Sequence, residues 1–306
     1  MLEFKNLKDL MTKLGDEKVC REYVEEMRWG GNPVCPHCGA FKPYKLKDGK
    51  TYRCKEKTCK RDFTVSVGSI FENSKIPLST WMAAIFILTG HKKGISSLQL
   101  ARDLGVTGKT AWFMNHRIRL IMGQPEEELP PLECIVEVDE TYVGGKFANM
   151  NRGRRKKFQD LGIDNKVGVM GMVQRDGRAK LTVIGGNTFK DVVRDNVDNA
   201  AVVVTDSHIS YVGLAQEFAA HLTVNHSKSQ YRDGIAFTNT VEGFFSSLKR
   251  SIYGIYHSVS PKHLHRYCEE TSYRYNTRKI SDKDRFNLTI QNSKGRLKYK
   301  NLIEKK

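Results

Sequence analysis

Three acidic residues of this 306-residue chain stand where carboxylates can meet. Asp139 closes an apolar, strand-like run, CIVEV (134–138), and Asp206 closes another, AVVVT. Glu242 falls early in a helical stretch, NTVEGFFSSLKR. Carboxylates at strand ends line the rim of a sheet, where open α/β folds build their sites. The 35 residues between Asp206 and Glu242 leave room for a helix, a strand and a return helix over the sheet edge. Three converging carboxylates repel one another and stay ionised together only beside cations, so the pattern points to Mg²⁺ or Mn²⁺. Two such ions, about 4 Å apart, can activate a water or a 3′-hydroxyl and stabilise the leaving oxygen in phosphoryl transfer. Asp139 would then bridge the ions, with Asp206 on one and Glu242 on the other. Singly, each acid has a plainer use: a strand-end Asp forms turns, and a helical Glu is solvated. Glu140 should point to the opposite side of its strand, while Glu137 shares the face of Asp139, two residues deeper. His208 suits a capping or surface role better than a metal one, and Asn239 and Thr240 are candidate helix caps.

Of the seven cysteines, Cys35, Cys38, Cys54 and Cys59 cluster as two pairs separated by 15 residues. Two cysteine turns joined by a β-hairpin place four thiolates at the corners of a tetrahedron, the geometry of structural Zn²⁺. Gly39 lets the first knuckle, CPHCG, turn; the second, CKEKTC, is wider than the commonest spacing. The alternative is four unrelated reduced thiols. Residues 34–67 hold too few large apolar side chains to form a core unaided, which favours a metal staple.

Lys and Arg number 51 against 34 Asp and Glu, a net charge of +17, and the pI is about 9.5. That balance calls for a polyanionic partner, nucleic acid first, though a basic ribosomal or membrane-surface protein has the same composition. No apolar run is long enough to span a membrane and no signal peptide is evident, which places the chain in the cytoplasm or nucleoid of a bacterium, or in a eukaryotic nucleus. Basic side chains surround the cysteines with Tyr44, Tyr52 and Phe63 interleaved, a surface suited to nucleic acid. After Asp139, Gly144-Gly145 open a basic insertion, 146–166, carrying Lys146, Arg152, Arg154, Arg155, Lys156 and Lys157. A flexible loop of this charge beside a carboxylate site suits phosphate contact. Lys109, Arg117 and Arg119 on a basic helix, Asn225 and His226 (with Lys228 and Tyr231) on the loop before Glu242, and Lys249 and Arg250 after it complete the candidate DNA contacts.

The elements that must position these groups follow from periodicity. Residues 1–32 read as helices ending at Gly30-Gly31-Asn32-Pro33, and 33–70 as the cysteine ribbon. Residues 76–122 are helical again, with Ser79 a possible cap. Within them a short helix, a turn at Gly105 and a second helix from Thr107 match a helix-turn-helix. GQPEEELPPL (123–132) is a proline-rich acidic linker. Residues 133–280 alternate strands (134–138, 167–174, 181–185, 201–206 and, more weakly, 222–226) with helices (210–219, 239–252), giving an α/β mixed sheet flanked by helices. Residues 281–306 read as a basic, mobile tail.

The runs VEVDETYVGGK, VVTDSHISY and FTNTVEGFFSSLKRSIYGIYHSVSPKHLHRYCEETSYRYNTR resemble the bacterial insertion-sequence transposases of the Merlin superfamily. CPHCG, YRC, GSIFENSKIPLSTW and KKGISSLQLARDLGVTGKTAWFMNHRIR extend the likeness over about residues 17–280. The resemblance implies an RNase H-like catalytic domain with an acidic (DDE) triad at Asp139, Asp206 and Glu242. It also implies terminal-inverted-repeat DNA as partner, metal-assisted hydrolysis followed by transfer of 3′-hydroxyl ends to target DNA, and a homodimer or larger multimer. Two departures stand out: the wide second knuckle, and Phe237 where relatives often carry His. A catalytically silent DNA-binding descendant and a nuclease of the same fold are the rival expectations.

Overall fold

A computed structural model of the protein describes residues 2–127, 129–145, 150–160, 166–186, 188–224 and 234–304. The chain divides into two compact units, Met1–Glu127 with Lys279–Lys306, and Glu128–Arg278.

The first unit opens with α1 (Leu7–Leu14) and α2 (Glu17–Trp29), each started by a side-chain cap, Asn6 and Asp16. Gly30, at φ 53°, ends α2 in the left-handed region that a Cβ disfavours. Leu10, Leu14, Cys20, Tyr23, Val24 and Met27 form the buried faces. The cysteine segment is a three-stranded antiparallel sheet, β1 (Tyr44–Lys45), β2 (Tyr52–Arg53) and β3 (Asp62–Phe63). Tyr52 and Phe63 stack at 5.8 Å and meet Trp29 edge-on. These two rings, expected at a nucleic-acid surface, are therefore the ribbon's core; Tyr44 alone of the three is exposed.

Helix α3 (Leu78–Gly90) is buried almost all round. Ser79 does not cap it; the Glu17 carboxylate reaches over from α2 and accepts from the N–H groups of Leu78 and Ser79 at 2.9 and 3.3 Å. Helix α4 (Ser97–Leu104) is capped by Ser96 and closed by Gly105 at φ 65°. It packs on α5 (Gly108–Glu127), which runs on into the stretch expected as a linker.

The second unit is a five-stranded sheet in the order β6-β5-β4-β7-β8. Its strands are β4 (Ile135–Val143), β5 (Val167–Gln174), β6 (Ala179–Val183), β7 (Val202–Asp206) and β8 (Ala220–Val224). The first three are antiparallel, and β7 and β8 run parallel to β4. Val136, Val138, Met170, Met172 and Val203 face a core closed by α7 (Phe189–Arg194). Val143, Val169 and Val173 face the opposite core, closed by α8 (Asn239–Ser251) and α9 (Leu264–Asn276). Helix α6 (Arg152–Asp160) occupies part of the insertion expected as a loop. Residues 210–219 are not one helix: two short 3₁₀ turns, Ile209–Tyr211 and Leu214–Gln216, are separated by Gly213 at φ 98°.

The chain then returns to the first unit as α10 (Asp282–Gln291) and α11 (Tyr299–Ile303). This corrects the expectation of a mobile tail. Helix α10 is capped by Ser281, and Phe286 and Ile290 are fully buried. Phe286 meets Phe4, Tyr23 and Phe86 at 5.3–6.4 Å. Few apolar residues mark the stretch, but Phe286 and Ile290 stand one turn apart on the buried side of α10. Phe286→Ala should lower stability by about 3–5 kcal/mol in denaturant unfolding, as for other fully buried aromatics, whereas a residue in a free tail would cost about 0.5 kcal/mol or less.

Candidate active site and metal centre

The parallel register of β4 and β7 brings the two aspartates to one level. Ile135 pairs with Val202 and Glu137 with Val204. Two residues further along each strand stand Asp139 and Asp206. Since side chains alternate across a strand, both lie on the face that α8 covers. Asp139 is not at the end of its own strand, as expected, but midway, opposite Gly171 of β5. Thr141, Tyr142 and Val143 prolong β4 past the point where β7 stops, so Asp139 still sits at the rim on its β7 side. Burial, with the charges of Glu140, Asp206 and Glu242, pushes the Asp139 carboxyl up to about 6, against the pull of the Glu140 N–H that donates to it. The three acids are thus near enough to repel, and a hard cation is the partner that would relieve them. They do not form a tight cage: among the described residues, only the four cysteines have ligand atoms all within 4.8 Å of one another.

Glu140 points away, as expected, and accepts from the Tyr211 hydroxyl at 2.6 Å on the other face. His208 accepts from Ser210 N–H, and its own N–H donates to Asp206, the capping role expected of it.

Glu242 is an exposed residue in the first turn of α8. Two contacts seat this helix. An added Cβ on Gly171 would come within 2.6 Å of Phe245 and 2.9 Å of Val241, so only glycine lets α8 lie this close to the strand beside Asp139. The helix has no side-chain cap of its own from Thr238. Instead Glu137, fully buried, accepts from Thr240 N–H at 2.9 Å, Thr240 Oγ1 at 3.0 Å and Val241 N–H at 3.2 Å. Thr240 is therefore a donor to a distant carboxylate rather than the local cap expected. Arg175 completes the set, donating from Nε to Glu137 at 2.9 Å. No sequence signal singled out Arg175, one of several cations in the run QRDGRAK after a strand.

The four thiolates do meet, and Cys59 completes the cluster despite the wide knuckle. Cys35 and Cys59 are 3.8 Å apart at sulfur, and Cys38 and Cys54 3.5 Å. Tetrahedral Zn–S bonds of about 2.3 Å require sulfurs roughly 3.8 Å apart, so the residues fit the ion. Each knuckle is turned by a left-handed residue after its second cysteine, Gly39 at φ 74° and Lys60 at φ 44°.

The basic candidates separate by burial. Arg117 and Arg119 are 4% and 1% exposed, which corrects their assignment as DNA contacts. Arg117 donates to the carbonyls of Leu297, Ile70 and Glu72, joining α5 to the segments around it. Lys109 is exposed and lies 4.9 Å over the Tyr299 ring. Lys249, Arg250, Arg152 and Lys156 are exposed, and Arg155 is half-buried. Arg154 and Lys157 lie on α6. Lys146, Asn225, His226, Lys228 and Tyr231 fall outside the described residues.

Comparison with known families matches both regions of the chain. Residues 131–276, which contain all three acids, match the ISXO2-like transposase domain, and residues 15–62, which contain the four cysteines, match the transposase zinc-ribbon domain. The chain is a transposase of the insertion-sequence kind. Its transposase domain is of the ISXO2-like kind. A protein of Halobacterium salinarum described as "Uncharacterized protein in transposable element ISH50" is 25% identical over 250 residues, covering 76% of this chain and 82% of its own. No helix among the described residues is long and apolar enough to cross a membrane.

Purified protein should carry one zinc per chain by elemental analysis. Cys59→Ser should weaken it by more than the roughly 10–100-fold typical of losing an outer-shell partner; zinc held as tightly as in the wild type would mean that the wide knuckle supplies no ligand.

Proposed function

We propose that this chain is a DDE-type DNA transposase that cuts at the terminal inverted repeats of its element and joins the freed 3′-hydroxyl ends to target DNA. The observation that carries the proposal is the β4–β7 register, which sets Asp139 beside Asp206 under the helix that bears Glu242. The strand order supports an RNase H-like reading, three antiparallel strands followed by two parallel ones. The pair α4–α5, with its turn at Gly105, supports a helix-turn-helix for end recognition, together with the basic ribbon.

Asp139, Asp206 and Glu242 offer only hard oxygen donors, and their mutual repulsion fits them to divalent cations. Mg²⁺ or Mn²⁺ ions held there would supply electrostatic activation of the attacking oxygen and stabilisation of the leaving one. Asp139, central on the sheet, would hold them together with Asp206 on β7 and Glu242 on α8. Exposed Lys249 and Arg250 on α8, and Arg152 and Lys156 on α6, are suited to holding the phosphate backbone while the acids do the chemistry. Two element ends must be cut and joined together, which calls for a homodimer or larger multimer on the DNA.

The test is incubation of a duplex carrying the inverted repeats that flank the gene with Mg²⁺ and a target plasmid. Wild type should give 3′-end cleavage and joined product. Asp139→Asn, Asp206→Asn and Glu242→Gln should each lose at least about a thousandfold in rate while still binding the duplex, a loss of roughly 4 kcal/mol of transition-state stabilisation. Cleavage without joining would indicate a nuclease instead, and full activity of Glu242→Gln would reject the triad.

Proton and cation compete for Asp139. Its raised pKa means that the metal-free carboxyl takes up a proton as pH falls through about 6. Mn²⁺ affinity, followed by electron paramagnetic resonance, should therefore be level above that value and weaken about tenfold per pH unit below it.

A further inference from the structure

The acids of the proposed site come from two different kinds of element. Asp139 and Asp206 stand on neighbouring strands of one sheet, two residues beyond the last paired position, Glu137 with Val204. Glu242 rides on a helix, and a helix resting on a sheet can slide or rotate by an ångström at little cost unless something pins it. The groups that pin α8 form one connected cluster.

Glu137 is at its centre. It lies on β4 two residues before Asp139, on the same face, and it is fully buried. Its Oε2 takes the N–H groups of Thr240 and Val241, and its Oε1 takes the Thr240 hydroxyl and Arg175 Nε. Both backbone donors belong to the first turn of α8, and the next residue is Glu242. Arg175 spends its remaining donors on the strap leading into α8: Nη1 donates to the Ile235 carbonyl at 2.7 Å and Nη2 to the Phe237 carbonyl at 3.1 Å. The Phe237 ring lies 3.5 Å from the guanidinium carbon, stacked on its face. One ion pair thus ties the strand of Asp139, the turn after β5 and the start of α8 to one another.

A fold needing only a capped helix would use a local Ser, Thr, Asn or Asp, as α1, α2, α4, α7 and α10 do. Here the cap is a carboxylate drawn from the strand that carries the central acid. This arrangement couples the height and rotation of α8 to β4 itself. It also places the positive end of the helix on Glu137, so that Glu137 is committed to that charge and is not a further ligand for a cation.

We infer that Glu137 and Arg175 are positioning residues that hold Glu242 at the distance from Asp139 and Asp206 at which the three acids share divalent ions; the inference rests on the triad reading of the preceding subsection.

The experiment measures Mn²⁺ binding to the full-length protein by electron paramagnetic resonance, and in parallel the rate and Mg²⁺ requirement of cleavage of the terminal-repeat duplex. Glu137→Gln keeps the shape but places an amide donor where the cluster needs an acceptor. It should fold with wild-type zinc content and bind the duplex within about twofold of wild type. Its Mn²⁺ affinity and its cleavage rate at saturating duplex should each fall about 10–100-fold, with the half-saturating Mg²⁺ concentration raised in step. Arg175→Lys, which keeps the charge but loses the fork, should show the same pattern more weakly, and it decides the matter should Glu137→Gln not fold. Unchanged Mn²⁺ affinity and Mg²⁺ requirement in the folded variant would overturn the inference. Asp139→Asn and Glu242→Gln run alongside: if those two retain wild-type Mn²⁺ binding, the triad itself is misassigned, a different failure from an indifferent Glu137.

Discussion

Carboxylates that are gathered at one sheet rim repel one another, and the second unit is organised so that they cannot move apart. The pairing of β4 with β7, which runs to Glu137 and Val204, sets Asp139 and Asp206 at one level two residues further on. Parting them would mean breaking strand pairing that buries Val136, Val138 and Val203 on one side of the sheet. The strain shows in Asp139, whose proton is held up to about 6 by burial and by its acidic neighbours. A cation bound there would offset the repulsion among the carboxylates, the part of the shift that comes from Glu140, Asp206 and Glu242.

Helix seating follows the same logic in both units. Helices α3 and α8 lack a side-chain cap from their own N-terminal residue, and in each case a glutamate from another element fills that place. Glu17 of α2 caps α3, and Glu137 of β4 caps α8. A cap supplied from outside does two jobs, satisfying orphan N–H groups and fixing one element against another. Around α8 the absence of a side chain matters as much. Gly171 admits Phe245 and Val241 to within touching distance of the sheet, directly opposite Asp139 in the β4–β5 ladder.

Local features were legible in the sequence, and distant pairings were not. The cysteine spacing announced the ribbon because four thiols within 25 positions have few other uses. Asp139 and Asp206 could be picked out because each follows an apolar run, and their common level then depends only on register. What charge alone cannot reveal is which way a side chain faces. Arg117 and Arg119 lie on a basic helix, yet both turn inward, Arg117 to three backbone carbonyls. Residues 281–306 looked too polar to fold, because their core contribution rests on a few positions such as Phe286, Ile290, Leu297 and Leu302. Residues 210–219 had helical spacing, but Gly213 breaks the run. The Glu137–Arg175 pair joins residues 38 positions apart and then reaches α8 a further 60 or so along, which no short-range pattern encodes.

Everything catalytic in this account requires that three side chains from β4, β7 and α8 bind metal as one site. The most direct measurement is the anomalous difference density of a crystal grown with Mn²⁺ and collected at the manganese absorption edge. The account predicts density bounded by the carboxylates of Asp139, Asp206 and Glu242. Manganese bound well away from these carboxylates, or held by the two aspartates with Glu242 turned out of reach even when terminal-repeat DNA is bound, would contradict it.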